Sequence, residues 1–437
     1  MKRFFTTIKN IFSIEDLRVR IVNTIGFLVI FRLGSYIVLP GIEPSALTNT
    51  QGGGMFGLLD TLVGGSFNRV SIFALGIMPY ISASIVVQLL TVAVPHFTKL
   101  QKEGDSGRKK LNQFTRVLTI VITAAQSYGY LRSIVNPEAI ITPGLFFTAS
   151  SIVILVAGTM FCMWLGERIT DKGIGNGISM LIMIGIVSRF PGAILQESAA
   201  KGMSGALLFI LELVALFFVV VGVIALTQAT RRIPVQYAKQ VVGNKLYGGK
   251  RDFIPLKLNS AGVMPIIFAQ ALMFIPPLMA GIWRDSDLGA YVGTTFADFT
   301  SWQYNLLFAI LILLFTFFYT AITVPSNDIA DNLKRNGGFV PGIKPGKPTA
   351  EFIDGILSKI TLPGALFLAA VAIMPAFAVK AGIIQSFAQF YGGTSLLILV
   401  GVVLDTLQQI ESYLLMRHYE GMMKSGRVKG RSQFAAA

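Results

Sequence analysis

The chain has one cysteine and two histidines in 437 residues, and Asp and Glu together number only 22. A lone Cys162 makes no disulfide within the chain and supplies no Cys-based metal site. His96 and His418 lie far apart in sequence, which argues against a His-based metal or catalytic centre. Charged residues make up 14% of the chain, against roughly 25% in soluble domains. What remains is apolar: 53% of residues are hydrophobic and the mean hydropathy is +0.66. Such a chain folds in a bilayer, where packing among helices replaces a single water-excluding core. The formal charge of +15 would suit a nucleic-acid partner in a soluble protein. Most of this chain is too apolar for that, so where the charge falls matters more than its sum.

Ten apolar segments are each about as long as a spanning helix requires. They cover 21–39, 71–94, 117–135, 147–166, 178–196, 205–228, 261–283, 304–325, 356–379 and 394–416, with 178–196 interrupted by Arg189 and Pro191. Residues 1–20 are basic and amphipathic, and no A-x-A site follows the first segment, so no cleavable signal is expected. With the N-terminus inside, all of the 37 Lys and Arg fall on the cytoplasmic side except Arg32, Arg69, Arg132, Arg189, Lys201, Arg284 and Lys380. This bias sets both termini in the cytoplasm.

Residues 76–84 read G-I-M-P-Y-I-S-A-S and residues 262–270 read G-V-M-P-I-I-F-A-Q. The shared frame opens spans 2 and 7. Five spans per half is an odd number, so the second half enters the membrane inverted, an organisation common in transport proteins. The expected domains are an amphipathic N-terminus over 1–20, a first half over 21–196 and a second over 205–416. Cytoplasmic loops at 229–260 and 326–355 and a basic tail over 417–437 complete them.

The stretch 52–70 is apolar but broken by glycines, which makes it a poor spanning helix. Two readings stand: a half-helix folded back into the protein, where irregular backbone is tolerated beside a cavity, or a flexible external loop. Ile77 and Ile81 share one face of span 2, Ile182 and Ile186 repeat that spacing in span 5, and Ile267 is the echo of Ile81. Singly, each reads as a packing or lipid-facing residue. Convergent, they form an apolar constriction that excludes water and ions. The spans hold few of the ionisable groups that mark ion and proton pathways: Asp405, Glu212 near the start of span 6, and Glu167 at an end. Asp405 is the best candidate for proton coupling, and a structural hydrogen bond is the equal alternative. Ser82, Ser84, Gln126 and Gln270 suit weak bonds across a seam that opens, at about 0.6 kcal/mol each, or ordinary interhelical contacts.

Residues 229–260 alternate Val and Ile with polar residues around Gly248-Gly249, as a protruding hairpin does. Residues 326–350 read as a short helix and a Pro/Gly-stiffened basic tip. The basic residues Arg231, Arg232, Lys245, Lys250, Arg251, Lys334, Arg335, Lys344 and Lys347 suit anionic lipid. Two long loops on one side suit a large partner better, one with exposed phosphates such as ribosomal RNA. Gly338–Lys344 lacks the spacing and context of a phosphate loop, and Gly173–Gly177 is a lone Gly run between spans. No nucleotide site is expected, so any work done on a substrate draws on a partner.

The stretches Ser71–Ser84, Gly104–Arg108, Trp164–Thr170, Gly173–Ser179, Ala330–Lys334, Phe339–Gly342 and Gly392–Leu396 fall in order along nearly the whole chain. Together they closely resemble the SecY family, the channel subunit of the bacterial Sec protein translocase. The resemblance implies an all-α membrane protein with ten transmembrane helices in two inverted five-helix halves, arranged as a clamshell around an hourglass channel. It implies a re-entrant plug half-helix over about 55–70, including Leu62, Val63, Gly64 and Gly65. It also implies a pore ring of Ile77, Ile81, Ile182, Ile186, Ile267 and Val403, and a lateral gate carrying Ser82, Gln126 and Gln270. The basic loops and tail would dock the ribosome or the SecA motor ATPase. SecE and SecG would be small membrane partners, with SecDF and YidC as further ones. Val403 stands in place of a ring isoleucine, Lys344 where many members have arginine, and Leu62 where a plug phenylalanine often lies. The expected function is a protein-conducting channel of the bacterial inner membrane. It would pass unfolded secretory polypeptides across and release membrane segments sideways, with no enzymatic chemistry and no cofactor. The alternative is a secondary transporter of a small solute. An intramembrane enzyme lacks any nucleophile–base or metal constellation.

Overall fold

The computed structural model describes residues 14–44, 60, 63–133, 139–202, 205–237, 240–242, 245–247, 251–273, 291, 295–296 and 298–424. Of these, 133, 240–242, 245–247 and 417–424 are described by their backbone alone. Each of the ten apolar segments carries a helix. In chain order these are α1 (Glu15–Gly34), α2 (Met78–Ala93), α4 (Asp105–Ser133), α5 (Leu145–Lys172), α6 (Gly177–Lys201), α7 (Ala206–Gln228), α8 (Met264–Leu272), α9 (Trp302–Thr323), α11 (Lys347–Lys380) and α13 (Gly393–Lys424). Three short helices, α3 (Pro95–Lys102), α10 (Ser326–Arg335) and α12 (Gln385–Ala388), lie between them.

Pro95 caps the change of direction after α2: α2 and α3 are bent by 98° at Val94, and proline at the first position of α3 is pre-set for a new helix. α4 opens on a charged stretch and then carries Thr115, Thr119, Thr123 and Ser127 at four-residue spacing, all buried. Each Thr hydroxyl donates to the carbonyl four residues back, at 3.0, 2.7 and 2.6 Å. The stripe therefore lies inside protein with its threonine hydroxyls satisfied. α6 continues without a break through Pro191, so the expected interruption at Arg189 and Pro191 is absent. Membrane helices tolerate proline where hydroxyls and neighbours take up freed backbone groups, and the Ser188 hydroxyl donates to the Gly185 carbonyl at 2.7 Å.

The chain divides into two compact units. One comprises 1–52, 57–189 and 401–437, and the other 53–56 and 190–400. In the first, α4 packs between α2 and α5. The strand-like stretch after α1 pairs at Val38 with Ser71 and at Ile42 with Ile140. In the second, α8 and α11 both pack on α9. One buried knot ties α6 and α7 to the stretch 382–391. Lys201 reaches Glu212 at 3.0 Å and Glu197 at 3.5 Å, and donates to the Gly382 carbonyl at 3.1 Å. Glu197 accepts the Ile384 N–H, and the Tyr391 hydroxyl donates to the Glu212 carbonyl.

The second unit also carries the two basic loops as one small domain. β1 (Thr230–Tyr237) pairs antiparallel with β4 (Arg251–Lys257) and with β5 (Gly338–Phe339), giving the order β4-β1-β5. Pro234 has no N–H to donate, and β5 reaches β1 only at Gln236 and Tyr237, so proline costs no ladder bond on that side. Period-two alternation buries Ile233, Val235 and Leu256 with Leu333, Val340, Ile353 and Leu357 in a single apolar core. At the far end β2 (Gln240–Val242) pairs with β3 (Lys245–Tyr247), Val242 opposite Lys245. Residues 243–244, Gly-Asn in the sequence, lie outside the described residues. The expected Gly248-Gly249 turn lies outside the described residues.

Candidate functional site

The two Gly-x-Met-Pro frames fold alike. Gly76 has φ +53° and Gly262 φ +65°, in the left-handed region that favours glycine. A β-branched residue then takes the position before the helix, Ile77 at φ −99°, ψ 0° and Val263 at φ −93°, ψ −8°. Met78 and Met264 begin α2 and α8, with Pro79 and Pro265 in the first turn, where a missing N–H is harmless. Ile81 and Ile267 thus occupy the same position in their helices, and both are buried. In the first unit Ile77, Ile182 and Ile186 are also buried. Val403 differs, with 41% of its surface exposed.

The plug segment is described at Asp60 and from Val63 onward; Leu62 lies outside the described residues. Asp60 is helical, and residues 63–77 form a chain of turns. Asp60 organises those turns: its carbonyl accepts the Gly65 N–H at 2.8 Å and its Oδ1 the Asn68 N–H at 2.9 Å. Val63 is buried and meets Gly76, where a Cβ would lie 2.9 Å from Val63 Cγ1. Gly64 and Gly65 have φ +71° and +89°. A Cβ on Gly64 would stand 2.6 Å from Arg32 Nη1 and 2.8 Å from the Gly185 Cα on α6, so only glycine fits this approach. The segment's far end is seated equally closely, because a Cβ on Gly158 of α5 would meet the Ile72 carbonyl oxygen at 2.1 Å. Tyr130 of α4 donates its hydroxyl to the Phe67 carbonyl at 2.5 Å and packs on the Phe67 ring.

Polar groups surround this segment. Arg189 of α6 pairs with the Asp60 carboxylate. Arg32 of α1 donates to the Gly64 carbonyl at 3.1 Å. Arg69 and Arg32 both lie over the Tyr36 ring. These residues were not singled out from the sequence. Arg32, Arg69 and Arg189 are nonetheless three of the seven basic residues that the charge bias is expected to leave off the cytoplasmic side, and ionisable groups at membrane depth mark function.

The other proposed positions fall as follows. The Ser82 hydroxyl donates to its own Met78 carbonyl at 3.2 Å, Gln126 is half-buried on α4, and Gln270 is buried on α8 beside the Tyr304 hydroxyl. The membrane carboxylates are accounted for. Glu167 pairs with Arg116, both oxygens at 2.8 Å, and Glu212 belongs to the Lys201 knot. Asp405 is exposed and has no hydrogen bond or ion pair among the described residues. The Gly173–Gly177 turn is closed to phosphate because its N–H groups are taken. Ile174 donates to Thr24 Oγ1 at 3.0 Å, Gly175 to Gln409 Oε1 at 2.8 Å and Gly177 to Thr170 Oγ1 at 2.9 Å.

On the domain formed by the two basic loops Arg231, Arg232, Arg251, Lys334, Arg335, Lys344 and Lys347 are all exposed. The common core brings the two loops together. Lys334 and Arg335 end α10, where the helix dipole favours cations. The tip backbone is pinned by the Thr349 hydroxyl, which donates to the Lys344 carbonyl at 2.9 Å. The side chain of Lys245 and all of Lys250 lie outside the described residues.

A family model described as SecY matches residues 71–407. Among curated relatives, a protein translocase subunit SecY of Halalkalibacterium halodurans is 44% identical, covering 96% of this chain and all of its own. A solved structure described as a protein conducting channel superposes with a TM-score of 0.63 at 16% identity, over 90% of this chain and 92% of that one. Sec61 in a canine ribosome-channel complex from the endoplasmic reticulum superposes with a TM-score of 0.59 over the same shares. These likenesses at low identity support the helical membrane fold.

Proposed function

This chain belongs to the SecY family, and we propose that unfolded secretory polypeptides cross the bacterial inner membrane through it while membrane segments leave it sideways. It is a multi-pass, protein-conducting channel and not an enzyme. The observation that carries the reading is the pair of identical helix starts, which set the buried, apolar Ile81 and Ile267 at equivalent positions of the two Gly-x-Met-Pro frames. Ile77, Ile81, Ile182, Ile186, Ile267 and Val403 form the ring, and the segment around Val63–Gly65 is its plug. Ser82, Gln126 and Gln270 line the lateral gate. An apolar ring closes by excluding water and needs no charge. A solute transporter would need a buried carboxylate free to exchange its coupling ion or proton. Glu167 and Glu212 are instead held in ion pairs, and Asp405 is exposed. The experiment that tests this reading is transport into vesicles. Vesicles holding this chain with SecE, SecG and the SecA motor should protect a secretory precursor from added protease when ATP is supplied. Full digestion of the precursor would refute the reading.

The basic face on the joined cytoplasmic loops is the docking surface for the motor or the ribosome, partners whose acidic or phosphate groups it complements. Both termini face the same compartment. SecDF and YidC would meet the channel within the membrane, and anionic lipid would line its cytoplasmic rim. Reversing Arg251 and Lys344 together to Glu should weaken binding of the motor or ribosome at least about tenfold at low salt, with the difference shrinking as salt rises. Co-sedimentation across a salt series measures this, and unaltered binding would remove the docking assignment.

A further inference from the structure

Among the ionisable groups around the plug segment, one pair is arranged differently from the rest. Asp60 is 1% exposed, yet among the described residues it supplies the carboxylate beside three converging arginines, Arg32, Arg69 and Arg189. Arg32 holds a backbone carbonyl, and Arg69 lies on Tyr36 and flanks Gly65. Arg189 alone pairs with the carboxylate, while its side chain stays 38% exposed. It sits on α6 one turn beyond Ile186, and Gly185, one turn before Arg189 and next to Ile186, is the point against which Gly64 closes. Asp60 also shapes the turn from within, through the N–H groups of Gly65 and Asn68.

We propose that Asp60 and Arg189 are the positioning residues of the plug, a charge latch that holds the segment on α6 and is released when a polypeptide enters. The proposal rests on reading 60–70 as the plug. The pair is asymmetric. Asp60 is buried and loses its one direct ion-pair partner if Arg189 goes, whereas Arg189 keeps 38% of its side chain exposed and tolerates the loss of Asp60 better. A simple packing contact has no such asymmetry and is not restored by exchanging the two residues.

The test uses the full chain with its small membrane partners in vesicles, and reads resting halide leak and precursor transport. Arg189→Gln should raise the leak about tenfold and Asp60→Asn less, because only the first strands a buried carboxylate. The exchanged double variant Asp60→Arg with Arg189→Asp should return the leak to within about twofold of the parent, since the pair is remade. Oxidation of Asp60→Cys with Arg189→Cys should block transport, and reductant should restore it. An unchanged leak in Arg189→Gln, no restoration in the exchanged variant, or full transport by the cross-linked form would each overturn the latch. Deleting residues 57–67 separates the two levels. If deletion raises the leak while Arg189→Gln does not, the plug stands and the latch falls. If deletion also leaves the leak unchanged, the plug reading falls and the latch with it.

Discussion

Asn in place of Ile81 should make the resting channel leak ions and admit precursors with defective signal sequences. Ile81 lies in the first turn of α2, fixed there by the positive φ of Gly76 and by Pro79. Its side chain is buried in an apolar setting, with Ile77 one turn earlier on the same helix start. An apolar constriction is closed because water there would lose hydrogen bonds without replacement. An amide supplies them. Its hydration is worth on the order of 1–3 kcal/mol in protein settings, which corresponds to roughly thirtyfold more leak at the middle of that range. Ile267→Asn should act the same way, and Ile81→Leu should not, because it keeps the site apolar. Conductance of planar bilayers and export of a precursor with a crippled signal measure the two effects. Parental leak and parental selectivity in both Asn variants would remove these residues from the seal.

Lys201→Met should remove most of the folded protein from the membrane. Lys201 serves two carboxylates, Glu197 and Glu212, that are essentially inaccessible to water. Met fills a similar length but leaves two buried like charges without a cation. Breaking a buried pair from one side costs about 3–5 kcal/mol, a large share of the stability of an ordinary domain. The damage should be local to the knot that joins α6 and α7 to residues 382–391. Glu197→Gln with Glu212→Gln in the same variant should restore accumulation, since the uncompensated charge is then gone. The amount of intact protein in membranes and its melting temperature in detergent report the result. A Lys201→Met protein as abundant and as stable as the parent would show the knot to be unimportant.

A helix in each of the ten apolar segments was legible because each hydrophobic run is long. The Gly-x-Met-Pro echo was legible as a pattern, and its cause became visible only in the backbone. The glycine takes a positive φ that the next two residues convert into a helix start. The two basic loops could be found from composition, but not their union, because Ile233, Val235, Leu333 and Ile353 meet across a hundred residues of chain. The short pairing of Gln240–Val242 with Lys245–Tyr247 was not foreseen, because three-residue strands leave too brief an alternation to read. Arg189 read as an interruption because a helix pattern does not show a distant partner. Asp60, buried some 130 positions earlier in the chain, is that partner. The polar stripe of α4 was missed for a related reason: hydroxyls that satisfy themselves within a helix leave no trace in a search for charge.

The claim that the ring is the path of the transported chain is tested most directly by site-specific crosslinking. A photoreactive residue at position 81, in the complete channel engaged with a stalled secretory precursor, should crosslink to the precursor's translocating segment. The same probe at Leu207, exposed on the outside of α7, should not. A precursor that is stalled and protease-protected but crosslinks to position 207 and not to position 81 would contradict the account.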